Sequence, residues 1–99
     1  MFLEIAEITV EPGSETAFEK AVEEAAPLFL RARGCHGLSL HRLVEHPDRY
    51  RLVVKWKTVE DHTQYFRGSA DFQEWRRLAG PYFAEPPTVT HSHLVLRRN

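Results

Sequence analysis

The stretch Leu38-Ser39-Leu40-His41-Arg42-Leu43-Val44-Glu45-His46-Pro47-Asp48-Arg49-Tyr50-Arg51-Leu52-Val53-Val54-Lys55-Trp56-Lys57 decides the fold. Two runs within it, Leu38 to Val44 and Tyr50 to Lys57, alternate in the period-2 manner of strands. Between them, His46-Pro47-Asp48-Arg49 has hairpin-turn composition, so the runs are expected to pair antiparallel. In the second run Tyr50, Leu52, Val54 and Trp56 share one face, while Arg51, Val53, Lys55 and Lys57 share the other.

Upstream, residues 2–10 alternate as well, with Phe2, Ala6, Ile8 and Val10 on one side and Leu3, Ile5, Glu7 and Thr9 on the other. Pro12-Gly13-Ser14 breaks that strand. Ser14 is placed to cap a helix carrying Glu15 in its first turn, followed by Ala17/Phe18, Ala21/Val22, Ala25 and Leu28/Phe29 at helical spacing. Pro27 predicts a kink, and Gly34 a left-handed stop. Downstream, Thr58 and Asp61 read as a capping box that opens a short helix through Phe66. Gly68-Ser69 ends it and caps another, which presents Phe72, Trp75 and Ala79 on one side before Gly80-Pro81. A last run, Thr88 to Leu96, sets Val89, His91, His93 and Val95 against Thr90, Ser92, Leu94 and Leu96.

The order is β-α-β-β-α-β, an α+β ferredoxin-like fold: a four-stranded antiparallel sheet with both helices on one face. The other face also carries apolar residues, so a homodimer packed through the open sheet faces is expected.

With 99 residues, 42% hydrophobic and 27% charged, residues 1–99 make one globular domain. A formal charge of −1 gives no field to gather nucleic acid or an anionic membrane. Met1 to Glu7 places two acids where a signal peptide needs a basic start, and the longest stretch without acids or bases, Pro86 to Leu96, is too short to span a bilayer. The single cysteine, Cys35, cannot close an internal disulfide, so it is read as structural and the chain as cytoplasmic.

No Gly-rich phosphate loop, cysteine pair, HExxH or acidic metal loop is present, and neither a metal nor an organic cofactor is expected. What stands out is an aromatic second half with scattered histidines. Trp56, Phe66, Phe72, Trp75, Tyr82 and Phe83 would converge on one apolar pocket if the helical segment folds over the sheet, although each also reads as core. His62, in the first turn of the short helix, would be held neutral there and fit to take a proton. His91 and His93 share a strand face; without a third ligand the pair is weak as a metal site, and His91 is read as the polar companion of His62. Arg76, Arg77, Arg97 and Arg98 read as a solvated edge.

Ala6-Glu7-Ile8 with Pro12-Gly13, Gly34-Cys35-His36-Gly37, Pro47-Asp48-Arg49-Tyr50, Trp56, Glu60-Asp61-His62, Phe66-Arg67, Ser69, Phe72-Gln73-Glu74-Trp75-Arg76, Gly80-Pro81-Tyr82-Phe83 and Pro86-Pro87 follow in an order that resembles the antibiotic biosynthesis monooxygenase domain. The resemblance implies a dimeric α/β barrel. It also brings in cofactor-independent oxygenases of aromatic phenols, quinol monooxygenases and haem-degrading enzymes. Ala6, Phe66 and Arg76 stand where the haem-degrading branch carries Asn, Trp and the His ligand, so haem degradation is disfavoured. The aromatic-polyketide oxygenases also rely on an Asn, and here the one Asn is the terminal Asn99. The expected function is a cofactor-independent monooxygenase of a quinol or phenolic substrate and O2. In that reading His62 and His91 are the catalytic pair, and Trp56, Phe66, Phe72, Trp75, Tyr82 and Phe83 line the substrate. The alternative is a non-catalytic dimer of the same fold that binds an aromatic metabolite.

Overall fold

Strand β1 (Phe2–Thr9) runs through the interior of a four-stranded antiparallel sheet in the computed structural model, which describes residues 1–99. After it come α1 (Glu15–Leu30), β2 (Cys35–Arg42), β3 (Arg49–Trp56), one turn of π-helix (Asp61–Phe66), α2 (Ala70–Ala79), a 3-10 turn (Gly80–Tyr82) and β4 (Thr88–His93). Strand order across the sheet is β2-β3-β1-β4, the ferredoxin-like arrangement. The hairpin forms as its composition predicts: Leu40 faces Leu52, and the Arg49 amide donates back to the His46 carbonyl at 2.9 Å.

Because side chains alternate along a strand, β1 and β3 send Ala6, Ile8, Tyr50, Leu52, Val54 and Trp56 to one face. Helix α1 meets them with Phe18, Val22, Ala25, Leu28 and Phe29, and α2 with Trp75 and Ala79. Each large side chain buried there contributes about 1.5–3 kcal/mol by leaving water.

Several element ends differ from expectation, among them β2, which spans Cys35–Arg42 where the alternating run was read from Leu38 to Val44. Ser14 stands at the start of α1, yet its hydroxyl makes no cap bond, because its backbone (φ −95°, ψ 3°) is not the extended form that aims a cap side chain. The Glu15 carboxylate accepts the Gly13 amide instead, at 3.1 Å. Pro27 lies inside α1, which stops at Leu30, short of the Gly34 read as its end, and the Pro27 carbonyl accepts the Arg31 amide at 3.1 Å. Strand β4 stops at His93 because its partner β1 begins at Phe2, opposite it. Leu94, Val95 and Leu96 therefore leave the sheet exposed.

On the face away from the helices, half-buried Leu3, Ile5 and Val53 sit among Glu7, Ser39, Arg51, Lys55, Thr90 and Ser92. No helix is long and apolar enough to cross a membrane.

Candidate functional site

The site is set up by the turn that follows β3. Thr58 and Asp61 form the reciprocal box expected of them: the Asp61 amide donates to Thr58 Oγ1 at 3.1 Å, and the Thr58 amide to Asp61 Oδ2 at 3.2 Å. Gly34, left-handed at φ 75°, lets this turn approach the α1–β2 connection, since a Cβ there would lie 2.0 Å from Asp61 Oδ2. The turn is not an ordinary α-helix: the Arg67 amide reaches back five residues to the His62 carbonyl at 3.0 Å. The wider turn gathers Asp61, His62 and Phe66 onto one buried side.

His62 thereby reaches the wall of a cavity of about 560 Å³ between the inner sheet face and α2. Glu4, Ala6, Ile8, Leu52 and Val89 form its floor, Phe72 and Trp75 its helical wall, and Phe83 to Pro87 close one side. That closing segment is pinned to the end of β1, the Ala84 amide donating to the Thr9 carbonyl at 2.8 Å and Glu11 to Tyr82 at 2.9 Å. Arg67, Arg76 and Glu85 also line the cavity. The cavity joins aromatic walls to a polar end.

That polar end is a chain of three side chains. Glu4 and His91 are opposed across the β1–β4 pair, so both point to the helix-covered face, and Trp56 lies diagonally from Glu4 on β3. Trp56 Nε1–H donates to Glu4 Oε1 at 3.0 Å, and His62 Nε2 lies 3.3 Å from the same oxygen. On its other side His62 Nδ1 is hydrogen-bonded to His91 Nε2 at 2.8 Å. The His62 ring stacks on Trp56 with centroids 5.6 Å apart. Glu4 and His62 are 5% and 2% exposed, whereas His91 is half-buried and reaches toward the surface.

Burial sets the charge states. It raises the Glu4 carboxyl to about 7, against the opposing Trp56 hydrogen bond and the positive charge of Arg67. It lowers His62 to about 4, helped by Arg67 and His91, and burial with Arg67 lowers His91 as well. His62 is therefore neutral at pH 7, as expected, but through loss of water rather than through a helix N-terminus.

Of the residues singled out from the sequence, His62, Phe72, Trp75 and Phe83 line the cavity. Trp56 and Phe66 are fully buried one layer behind it, with ring centroids 5.6 Å apart, and Tyr82 lies outside the lining. His91 touches the cavity only through His62. His93 packs edge-on against Phe2 at 6.2 Å, and no three His, Cys, Asp or Glu side chains converge as metal ligands. Cys35 is half-buried and its thiol is raised by burial. Arg76 is exposed, as read, and also lines the cavity. Glu4 escaped the sequence reading. Its signal was nonetheless present: it falls between Phe2 and Ala6 on the inward side of an alternating strand, where an acid is out of place.

Comparison with known proteins agrees with this fold. The antibiotic biosynthesis monooxygenase family matches residues 1–78. The uncharacterized protein YczJ of Bacillus subtilis (strain 168) is 40% identical over 91 residues, covering 92% of this chain and 96% of that one. A crystal structure from Bordetella bronchiseptica, provisionally assigned as an antibiotic biosynthesis monooxygenase, superposes with a TM-score of 0.95 at 60% identity, covering 96% of this chain and 97% of that chain. A protein from Nitrosomonas europaea with the same provisional assignment shares the fold alone, with a TM-score of 0.80 at 21% identity over 92% of this chain and 86% of that one. Matched over most of its length in sequence and over nearly all of it in structure, the chain belongs to the antibiotic biosynthesis monooxygenase family.

Proposed function

We propose that this chain is a cytoplasmic, dimeric, cofactor-independent monooxygenase of a quinol or phenolic substrate. The observation that carries the reading is the cavity itself: aromatic walls from Phe72, Trp75 and Phe83 end at a buried neutral histidine, His62, hydrogen-bonded to His91. A phenol entering ring-first against these walls brings its hydroxyl to the polar end, where the proton is taken. The resulting anion is electron-rich at its ring carbons, and Arg67 and Arg76 in the cavity lining favour that negative charge. It reduces O2, and the new carbon–oxygen bond forms at a ring carbon bearing hydrogen. Loss of water from that hydroperoxide leaves a carbonyl, so one oxygen atom enters the product and the other leaves as water. Trp56 and Phe66 support the site from behind by fixing the His62 ring. Exclusion of water by the apolar wall protects the intermediate.

The dimer in this reading pairs the open sheet faces through Leu3, Ile5 and Val53, with the exposed Leu94-Val95-Leu96 segment lying across the partner. Light scattering is expected to give twice the 11.5 kDa chain mass, and a monomer at micromolar concentration would overturn the assembly. The activity is tested by O2 uptake with a panel of quinols and phenols, with and without chelator. Consumption of one O2 per substrate, unchanged by chelator, is expected. Saturable binding with no O2 consumption across the panel would favour a binding protein instead.

A further inference from the structure

We propose that Glu4, not His62, takes the proton from the ligand, and that His62 and His91 form a wire exchanging that proton with bulk water. This deepens the monooxygenase reading and rests on it for the identity of the ligand.

The argument begins with which oxygen is free. Both Trp56 Nε1–H and His62 Nε2 approach Glu4 Oε1, and no hydrogen bond reaches Oε2. Every fully buried side-chain oxygen or nitrogen in the molecule has a partner, so unpartnered Oε2 keeps access to the cavity that Glu4 lines. His62 is the poorer acceptor. Its Nδ1 is occupied by His91 and its Nε2 is turned toward Glu4, and as an imidazole protonated only near 4 it would hold a proton weakly at neutral pH. A carboxyl poised near 7 is matched to the task.

The hydrogen-bond pattern defines two states that differ by one proton. With Glu4 ionised, His62 presents Nε2–H to the carboxylate and its Nδ1 accepts from His91 Nε2–H. With Glu4 protonated, its hydroxyl donates to His62 Nε2, His62 Nδ1–H donates to His91 Nε2, and half-exposed His91 carries its proton on Nδ1, the nitrogen not bonded to His62. Removing a proton at His91 Nδ1 while the two inner protons hop outward converts the second state into the first, and no imidazolium need persist. On the cavity side the ligand O–H bond breaks as Oε2–H forms, and a half-turn of the carboxyl about Cγ–Cδ brings the loaded oxygen to His62. Each passage inverts both ring tautomers, so a resetting step separates successive turnovers. Glu4 is the catalytic residue in this scheme, and His62 and His91 position and relay.

The groups facing Glu4 are His91 on β4, Trp56 on β3, His62 and Arg67 from the π turn, Arg76 on α2, Glu85 from the closing segment and Cys35 at the start of β2. Only Glu4 among them has both a free oxygen in the cavity and a hydrogen-bonded path out.

Histidine-labelled protein observed by two-bond ¹H–¹⁵N NMR from pH 5 to 9 tests the wire without turnover. Expected is a switch of His62 from the Nδ1–H to the Nε2–H tautomer as pH rises through about 7, with no imidazolium, and loss of the switch in Glu4→Gln. A His62 tautomer that ignores pH, or a switch that survives Glu4→Gln, overturns it. On any substrate that consumes O2, Glu4→Gln is expected to lose about 10²–10⁴ in kcat. His91→Gln, on an edge strand and half-exposed, should slow steady-state turnover and recover with added imidazole. Wild-type rates in Glu4→Gln overturn the wire while leaving the monooxygenase reading intact. Absence of O2 uptake with every substrate overturns that reading and leaves the NMR result to decide the wire.

Discussion

Each end of β3 aims an aromatic donor at a glutamate, and the two glutamates end up with opposite proton affinities. At the start of the strand Tyr50 O–H donates to Glu19 at 2.6 Å, and Arg42 binds the same carboxylate oxygen. At its end Trp56 Nε1–H donates to Glu4 at 3.0 Å. The donors are alike; the surroundings are not. Glu19 lies on the surface with a guanidinium against it, and its hydrogen bonds from Tyr50 and Arg42 hold the carboxyl below the ordinary carboxylate range, while burial, helped by the Glu19 bond, pushes Tyr50 up to about 12. Glu4 is buried with no cation in contact, and loss of water outweighs the indole bond. An aromatic donor alone does not hold a carboxyl ionised. Solvent and a counter-charge decide, and the same strand thus carries a structural cluster at one end and a titratable one at the other.

The contrast is broken most severely at Trp56. Trp56→Phe keeps an aromatic ring but removes volume from a fully buried position and the donor to Glu4, and should cost about 3 kcal/mol, read as a shift of the urea midpoint at constant slope. Glu4 should then titrate above 7. Retention of the Glu4 midpoint in this variant would show that the indole does not influence the carboxyl.

Glu4→Gln works in the opposite direction. In the native chain Glu4 binds its proton more tightly than when unfolded, so its contribution to stability is complete below 4.5 and lost as pH rises through about 7. His62 behaves inversely: its contribution is complete above 6.5 and lost as pH falls through about 4. Between 4.5 and 6.5 the two dependences cancel. At pH 8.5 the amide should therefore stabilise the fold by about 2 kcal/mol, since the carboxylate it replaces is costly there but held a stronger bond from Trp56. The same variant should lose stability toward acid where the wild type is level. Thermal melts from pH 4.5 to 8.5 measure both.

Tyr50→Phe is the matched deletion at the other end. It should cost about 1 kcal/mol, because Glu19 keeps Arg42 and remains in water, and it should leave O2 consumption unchanged. A loss comparable to that in Trp56→Phe would mean the two ends are equivalent. Glu19→Gln is the mildest, about 0.5 kcal/mol at neutral pH for a pair this exposed. Its deficit should shrink as pH falls, because a carboxyl held low contributes stability above its unfolded value and loses it on protonation. Raised salt should shrink it too.

How much of this was legible beforehand varied with the type of signal. Period-2 alternation, the Thr58–Asp61 box and Gly34 were all local patterns: the box formed as read, Gly34 is left-handed although α1 already ends at Leu30, and the alternating runs became strands with shifted ends. The Ser14 cap failed because capping needs a particular φ/ψ as well as the right side chain. Trp56 and Phe66 read as core more readily than as wall, taken singly. Only the depth of α2 and the π turn places them behind the cavity rather than in it. Glu4 was passed over because alternation was scored on apolar residues, so the one acid on the inward face was skipped.

Alternation and turn chemistry by themselves determined the element order and the antiparallel sheet, because these depend on residues near one another in the chain, and the order of short motifs supplied the family resemblance. The tertiary structure decided which oxygen of Glu4 is left without a hydrogen bond, that His62 bridges it to His91, and which of the two aromatic-paired glutamates holds its proton near neutrality. Those outcomes depend on strand register, on a five-residue turn that rolls His62 inward, and on how much water is excluded. A proton affinity is a property of surroundings assembled from β1, β3, β4 and the π turn together, and no stretch of sequence contains them all.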